Sequence, residues 1–424
     1  MDNHEEALEA ISEIVEEHFS PQENDKFVPG ETPIRLSEPT YGSKEVIESL
    51  DSLLSTWVTM GEKVDRFEKS WSDYIGTEYA TMVNSGSSAN LVALKALEKT
   101  VIEPGDEVIV PAVSWSTSIF PIVDINAKPV LVDVERETYT IDVDAFKEAI
   151  TPDTSAVVLV HLLGNPCNMD PILEICEDHD IAIVEDCCEA HGATYKGKKV
   201  GSFGDLGTFS FFFSHHISTI EGGMIVTDSQ EYRKRNQTAR AHGWIRELED
   251  EQKSEYTRES PEIDDRFLFV DHGYNLRPTE IQGSFGIHQL KKLEEYIETR
   301  RDNASYLNTR ISKYDDQFRI LEERENTRCS WFAYPLLIRE SAPFTRDDLQ
   351  SFLESRKIET RPILAGNLAR QPALKQIPHR ISGDLEASED IHLNGFFIGN
   401  HHNMDKQRLQ YIVDVIDEFM NSYL

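Results

Sequence analysis

The sequence predicts an α/β protein built on a mainly parallel, seven-stranded sheet sandwiched between helices. Three observations carry that expectation. Between about residues 40 and 290, seven short β-rich runs alternate with helical patterns. Several of these runs are continuously apolar, as strands buried on both faces must be. The chain has 424 residues and is 39% hydrophobic, enough for one large core and a smaller second one.

Residues 5–19 suit an amphipathic helix with Leu8, Ile11, Val15 and Phe19 on one face. A link rich in Pro, Glu and Asp follows, PQENDKFVPGETP, and residues 1–35 are assigned to this leading helix and linker. The predicted strands are YATMVN, DEVIVPA, KPVLVDV, AVVLVHLL, IAIVED, GTFSFFF and GMIVTD. Helical segments such as SSANLVALKALEKTV, DVDAFKEAI and DPILEICEDHD lie between them. That alternation implies parallel strands joined by covering helices, a large domain over 36–290. A long charged helix then runs through HQLKKLEEYIETRRDNASYLNTRIS. WFAYPLLIR, FTRDDLQSFLESRKI and the last helix, KQRLQYIVDVIDEFMNSYL, complete a smaller C-terminal α/β domain over 291–424.

Charge and cysteines exclude several functions. The formal net charge of −34 opposes nucleic acid or an anionic membrane as a partner. Acidic residues spread along the whole chain suit a surface adapted to high salt, where self-repulsion is screened. No run approaches the roughly 18 apolar residues of a membrane span. The acidic N-terminus is unlike a signal peptide, so the expected location is cytoplasmic. The five cysteines, Cys167, Cys176, Cys187, Cys188 and Cys329, contain no CxxC pair. They suit neither a disulfide framework, a zinc site nor an iron–sulfur cluster, and no metal is expected.

Three strand-to-helix junctions carry candidate chemistry. NSGSSANL (84–91) joins small residues to a helix N-terminus, which attracts phosphate; Ser87 or Ser88 could equally be a simple cap. IAIVEDCCEAHG puts Asp186 at the C-terminal end of a buried strand, where α/β sheets face their ligands. A carboxylate there can keep a pyridine nitrogen protonated, or can be a cap or ion-pair partner. PAVSWSTSIF presents Trp115, which can stack on a ring or fill a core.

These signals occur in one order with a Ser-Phe strand and a Glu-Gly-Gly, FSFFFSHHISTIEGG (209–223). That order resembles the sugar aminotransferases of the DegT/DnrJ/EryC1/StrS family, fold-type I pyridoxal-phosphate enzymes. Further likeness lies in HLLGNPCNMD (161–170), RAHGW (240–244) and HGYNLRPTEIQGSFGIHQL (272–290). The resemblance implies that Ser87 and Ser88 hold the cofactor phosphate with Ser210, that Trp115 covers the ring, and that Asp186 pairs with its nitrogen. It implies that Glu189 lies near the ring hydroxyl. It also implies that Asn275 reaches the phosphate from a neighbouring subunit, hence a homodimer with shared active sites.

One position departs from the aminotransferases of the family. Their lysine, six residues before the Glu of Glu-Gly-Gly, binds the cofactor covalently. Here His215 stands there, and FFFSHHISTIEGG contains no lysine. Imidazole forms no stable covalent link to the cofactor aldehyde but moves protons near neutral pH. The pattern resembles the family's sugar 3-dehydratases, including WFAYPLLIRESAPFTRDDL and TRPILAGNLARQP (360–372). Those enzymes imply a pyridoxamine-phosphate cofactor held without a tether, a nucleotide-linked 4-keto-6-deoxy sugar (GDP or CDP), and L-glutamate as amine donor. His215 becomes the expected proton-transfer residue, whereas His216 is expected only to hydrogen-bond. His242, Arg361, Asn367 and Arg370 are candidate substrate contacts, the arginines for the diphosphate. The competing expectations are a nucleotide-sugar aminotransferase working without lysine and a non-catalytic binding protein.

Overall fold

The computed structural model describes residues 3–20 and 26–423, so part of the linker expected after the first helix, residues 21–25, lies outside the described residues. The leading helix forms over Asn3–His18, with Leu8, Ile11 and Val15 half-buried and Phe19, just beyond its end, largely exposed. It packs on the helix Ser43–Leu54.

The seven expected strands all form: β1 (Tyr79–Val83), β2 (Glu107–Pro111), β3 (Lys128–Val132), β4 (Thr154–Val160), β5 (Ala182–Asp186), β6 (Leu206–Ser210) and β7 (Gly223–Thr227). They lie in the order β1-β7-β6-β5-β4-β2-β3. Every residue of β2, β5, β6 and β7 is buried, as strands covered on both faces must be. The neighbours from β3 through β2, β4 and β5 to β6 pair in parallel. β7 runs antiparallel to both β6 and β1. The reason is the connection: a parallel return needs a crossover element, whereas residues 211–222 form a loop without helix. That loop is tied across its base by Phe211 N–H donating to the Gly222 carbonyl and Thr219 N–H donating to the Phe211 carbonyl.

The sheet has one strand more than the seven read from the sequence. Arg380–Ile381 pairs in parallel with β3 at its edge. Two residues beside Pro378 and Gly383 carry no apolar run, so no sequence pattern announces them. Arg380 is locked there by a double hydrogen bond to Glu107 of β2 and a bond to the Ala149 carbonyl.

The second sheet is wholly antiparallel, ordered Phe318–Ile320, Tyr334–Ile338, Gly395–Ile398 and Thr360–Pro362. The helices Leu293–Ile311, Arg346–Ser355 and Lys406–Asn421 cover it, contributing Leu307, Leu353 and Ile416 to its core. Residues 34–37 thread past this region: the Ile34 N–H donates to the Lys357 carbonyl, the Ile34 carbonyl accepts the Glu359 N–H, and the Leu36 N–H donates to the Glu359 carboxylate.

Candidate active site

The parallel strands deliver their C-terminal ends to one edge of the sheet, the edge at which α/β folds bind ligands. Gly223 opens β7 between Val83, the last residue of β1, and Ser210, the last of β6. The turns beyond β1, β2, β5 and β6 enclose a cavity of about 570 Å³. Its far wall comes from the second region and the 34–37 strap, through Phe332, Leu364, Phe397, Arg361, Leu36 and Ser37.

Asp186 is buried on the cavity wall. One carboxylate oxygen accepts from Asn90 Nδ2 and Ser118 Oγ, each at 2.8 Å; the other accepts from the Cys188 N–H at 3.1 Å. β5 itself is braced beneath by Glu185, which accepts the N–H groups of Gly201, Phe203 and Gly204 and pairs with His161 at 3.0 Å. His161, Glu185 and Cys187 stand close enough to suggest a metal site. His161 Nδ1, however, already accepts the Cys167 N–H, and both oxygens of Glu185 are engaged, so this cluster is a structural brace.

The turn after β1 divides its serines between two jobs. Ser85 caps the helix Gly86–Leu97 by accepting the Ser88 N–H, and the Ser88 hydroxyl donates to Asn84. Ser88 is therefore spent inside the cap and does not line the cavity, contrary to the sequence expectation; Ser85 and Ser87 do. Gly86 is required here, because a Cβ would collide with the Ser210 side chain, its Oγ at 2.8 Å. Ser210 is buried and its hydroxyl lines the same end of the cavity. Trp115, 54% exposed, overhangs the opening.

Glu189 also reaches the cavity, accepting the Leu163 N–H at 3.0 Å. Burial, with Asp186 nearby, pushes its carboxyl up to about 8, so it carries a proton at neutral pH and can donate as well as accept. These groups fit a pyridoxal-type cofactor: a glycine cradle and helix N-terminus for phosphate, an aromatic cover, a buried carboxylate and a protonated carboxyl on the wall.

His215 lines the cavity from the 211–222 loop, its ring 5.3 Å from that of Phe332. Burial, and after it the Arg300 guanidinium, push its imidazole down to about 3. It is therefore neutral at physiological pH. His216 is fully buried and turned away; its Nε2 donates to the Ser330 carbonyl at 3.0 Å. Among the described residues no lysine lines this cavity.

Of the candidate substrate contacts, Arg361 lies on the cavity wall, its guanidinium bonded to the Thr360 carbonyl and, among the described residues, to no carboxylate. Arg370 is instead paired through two hydrogen bonds with Glu389, which also accepts from the buried Asn367; both lie outside the cavity lining, Arg370 in an exposed salt bridge. His242 is exposed outside the lining, with a positive φ of 65°. Asn275 is exposed as well, its side-chain oxygen accepting from Arg277. Sequence reasoning missed Phe332, Leu364 and Phe397, whose apolar pattern reads as core, and the strap residues Leu36 and Ser37.

Fold and site together define a member of the DegT/DnrJ/EryC1/StrS aminotransferase family, and the chain belongs to it: the family model matches residues 40–417. The chain is 42% identical over 370 residues to GDP-4-keto-6-deoxy-D-mannose 3-dehydratase of Yersinia pseudotuberculosis, covering 86% of this chain and 93% of that protein. It is similar to the crystal structure of a variant GDP-4-keto-6-deoxymannose-3-dehydratase with bound GDP-perosamine, at a TM-score of 0.84, 39% identity and coverage of 90% and 100%. It matches equally, at 37% identity and coverage of 90% and 99%, a structure of that enzyme with a trapped PLP-glutamate geminal diamine, TM-score 0.84.

Proposed function

We propose that this protein is a nucleotide-sugar 3-dehydratase. It would use pyridoxamine phosphate to remove the C3 hydroxyl of a GDP- or CDP-linked 4-keto-6-deoxyhexose, on the way to a 3,6-dideoxyhexose, with glutamate as the amine donor. The observation that carries this reading is a neutral His215 on the wall of a cavity that no described lysine lines. The names of the similar proteins support the substrate class and favour GDP. The PLP-glutamate adduct in a relative supports the donor.

When bound, the cofactor supplies an electron sink conjugated to the sugar carbon beside C3. The chain's residues do the rest. Ser87, Ser210 and the helix N-terminus at Gly86 hold the phosphate, Trp115 covers the ring, Asp186 meets its nitrogen and Glu189 its hydroxyl. The neutral His215 takes a proton and becomes a strong acid in its apolar surroundings, suited to hand that proton to the departing C3 hydroxyl. Arg361 meets the diphosphate. Electrons balance overall: glutamate loses two and its nitrogen leaves as ammonia, while the sugar exchanges a hydroxyl for hydrogen.

We further infer a homodimer. Trp57 and Val58, and Phe212, Phe213 and Ile220 of the cavity loop, are exposed apolar residues, and Asn275 is exposed, as entry into a partner's site requires. The acidic composition supports a cytoplasmic enzyme of a saline interior.

Incubation in high salt with pyridoxal phosphate, glutamate and GDP- or CDP-linked 4-keto-6-deoxyhexoses tests the reading by product mass. A product with hydroxyl replaced by hydrogen, with free ammonia, is expected. A ketone replaced by an amine would instead establish an aminotransferase.

A further inference from the structure

Behind His215 lie two more imidazoles. His191, in the turn after β5, and His216 are completely buried. Trp71, Phe209 and Phe211 surround His191, and Phe332 lies against His216. Their hydrogen bonds run in one direction. The far end is the Ser330 carbonyl, which can only accept, so His216 Nε2 carries the hydrogen of that contact. A neutral His216 then has a bare Nδ1. The hydrogen in its 3.3 Å contact with His191 Nδ1 must therefore belong to His191. His191 Nε2 is bare in turn, and it is buried without a partner. One ring further, 6.0 Å from His191 between centroids, His215 buries its Nδ1 without a partner.

We propose that His191 is a positioning residue for His215: its bare Nε2 accepts the Nδ1 hydrogen of His215, which leaves Nε2 of His215 as the free base. The inference rests on the reading of His215 as the proton-transfer group. The opposite tautomer would present an N–H at Nε2 and could take no proton there. A backbone carbonyl three groups away thus dictates which nitrogen of the working ring is bare. The contact is open in this structure; closing it requires the His215 ring to turn toward His191, and such bonds are commonly long before substrate arrives.

A competing arrangement exists, because the Ser210 carbonyl also faces the His191 ring. Turning a His191 Nε2 hydrogen to it would reverse the contact with His216. His216 would then carry hydrogens on both nitrogens. Burial opposes that cation first, and the Arg300 charge second. Arg300 is itself buried and donates to the carbonyls of Phe332 and Asn400 rather than to a carboxylate.

The test is ¹⁵N NMR of the histidine-labelled protein without cofactor, with His215 assigned by the signals lost in His215→Asn. The expected result is hydrogen on Nδ1 and a bare Nε2. In His191→Phe the ring shape stays and both nitrogens go. The His215 signals should move toward the other tautomer, and kcat should fall at least about 10-fold with KM for the sugar held. His191→Gln sets an amide oxygen near the place of Nε2, and should restore the tautomer and most of kcat; it serves also if the Phe variant fails to fold. A wild-type His215 with its hydrogen on Nε2, or a His215 tautomer indifferent to loss of the His191 acceptor, would overturn the proposal. Full dehydration by His215→Asn would instead sink the proton-transfer role and leave the tautomer result standing.

Discussion

At the scale of single residues, the charge state of two side chains decides the chemistry. His215→Asn should lower dehydration at least about 100-fold while cofactor still binds, measured by product formation and by absorbance. His215→Lys should let borohydride fix the cofactor to residue 215, read by peptide mass, and should abolish dehydration. Glu189 has the opposite sign to most carboxyls. Its folded value near 8 lies above the ordinary 4.5, so its contribution to stability is full below 4.5 and is lost as pH rises toward 8. Glu189→Gln should therefore flatten the decline in unfolding free energy between those pH values, checked by urea titration. Gly86→Ala should weaken cofactor binding about tenfold or more by pressing on Ser210, seen in a fluorescence titration. Asp186 and Trp115 were legible as cavity residues because a strand's end is readable and parallel strands end at one edge, whereas Ser210 came only from the family resemblance. Which of Ser85, Ser87 and Ser88 would cap the helix was not legible, since each has the right chemistry. Arg370 misled because its partner, Glu389, lies 19 residues away in sequence.

At the scale of elements, the alternation of apolar runs and helical patterns was enough to place all seven long strands, because burial on both faces leaves a continuous signal. It could not place Arg380–Ile381, which is held by side-chain charge rather than apolar pattern. The Arg380 guanidinium holds the Glu107 carboxyl down to about 2. That stabilisation is present above pH 4.5 and is lost as pH falls toward 2. In Glu107→Gln the edge strand should open early, and hydrogen exchange at residues 380–382 should become fast at neutral pH while β5 stays protected. The antiparallel turn of β7 has a functional side. It replaces a covering helix with a loop, and so brings His215 to the edge where Asp186 ends its strand.

At the scale of the whole molecule, the net charge of −34 makes self-repulsion the feature to test. The midpoint of thermal unfolding should rise between about 0.1 M and about 2 M KCl as repulsion is screened; a flat response would remove the saline reading. The inferred dimer makes a separate claim. Two inactive variants, Asn275→Ala and His215→Asn, should partly restore activity when unfolded and refolded together, because one mixed site in each dimer is then intact. Absence of any recovery, with mixed dimers shown by mass, would mean that each subunit completes its own site. The saline expectation came from composition and the dimer expectation from the family resemblance; local pattern speaks to neither, since both concern surfaces rather than elements.

The lysine-free wall has a consequence for supply. A tethered cofactor stays with its enzyme through dilution; one held without a covalent bond obeys mass action. Occupancy here then tracks the free vitamin pool, and the folded state gains stability logarithmically with it. Such a protein would lose its colour on dialysis and regain it on mixing, and the flow of sugar through it would rise and fall with the nutritional state of the cell.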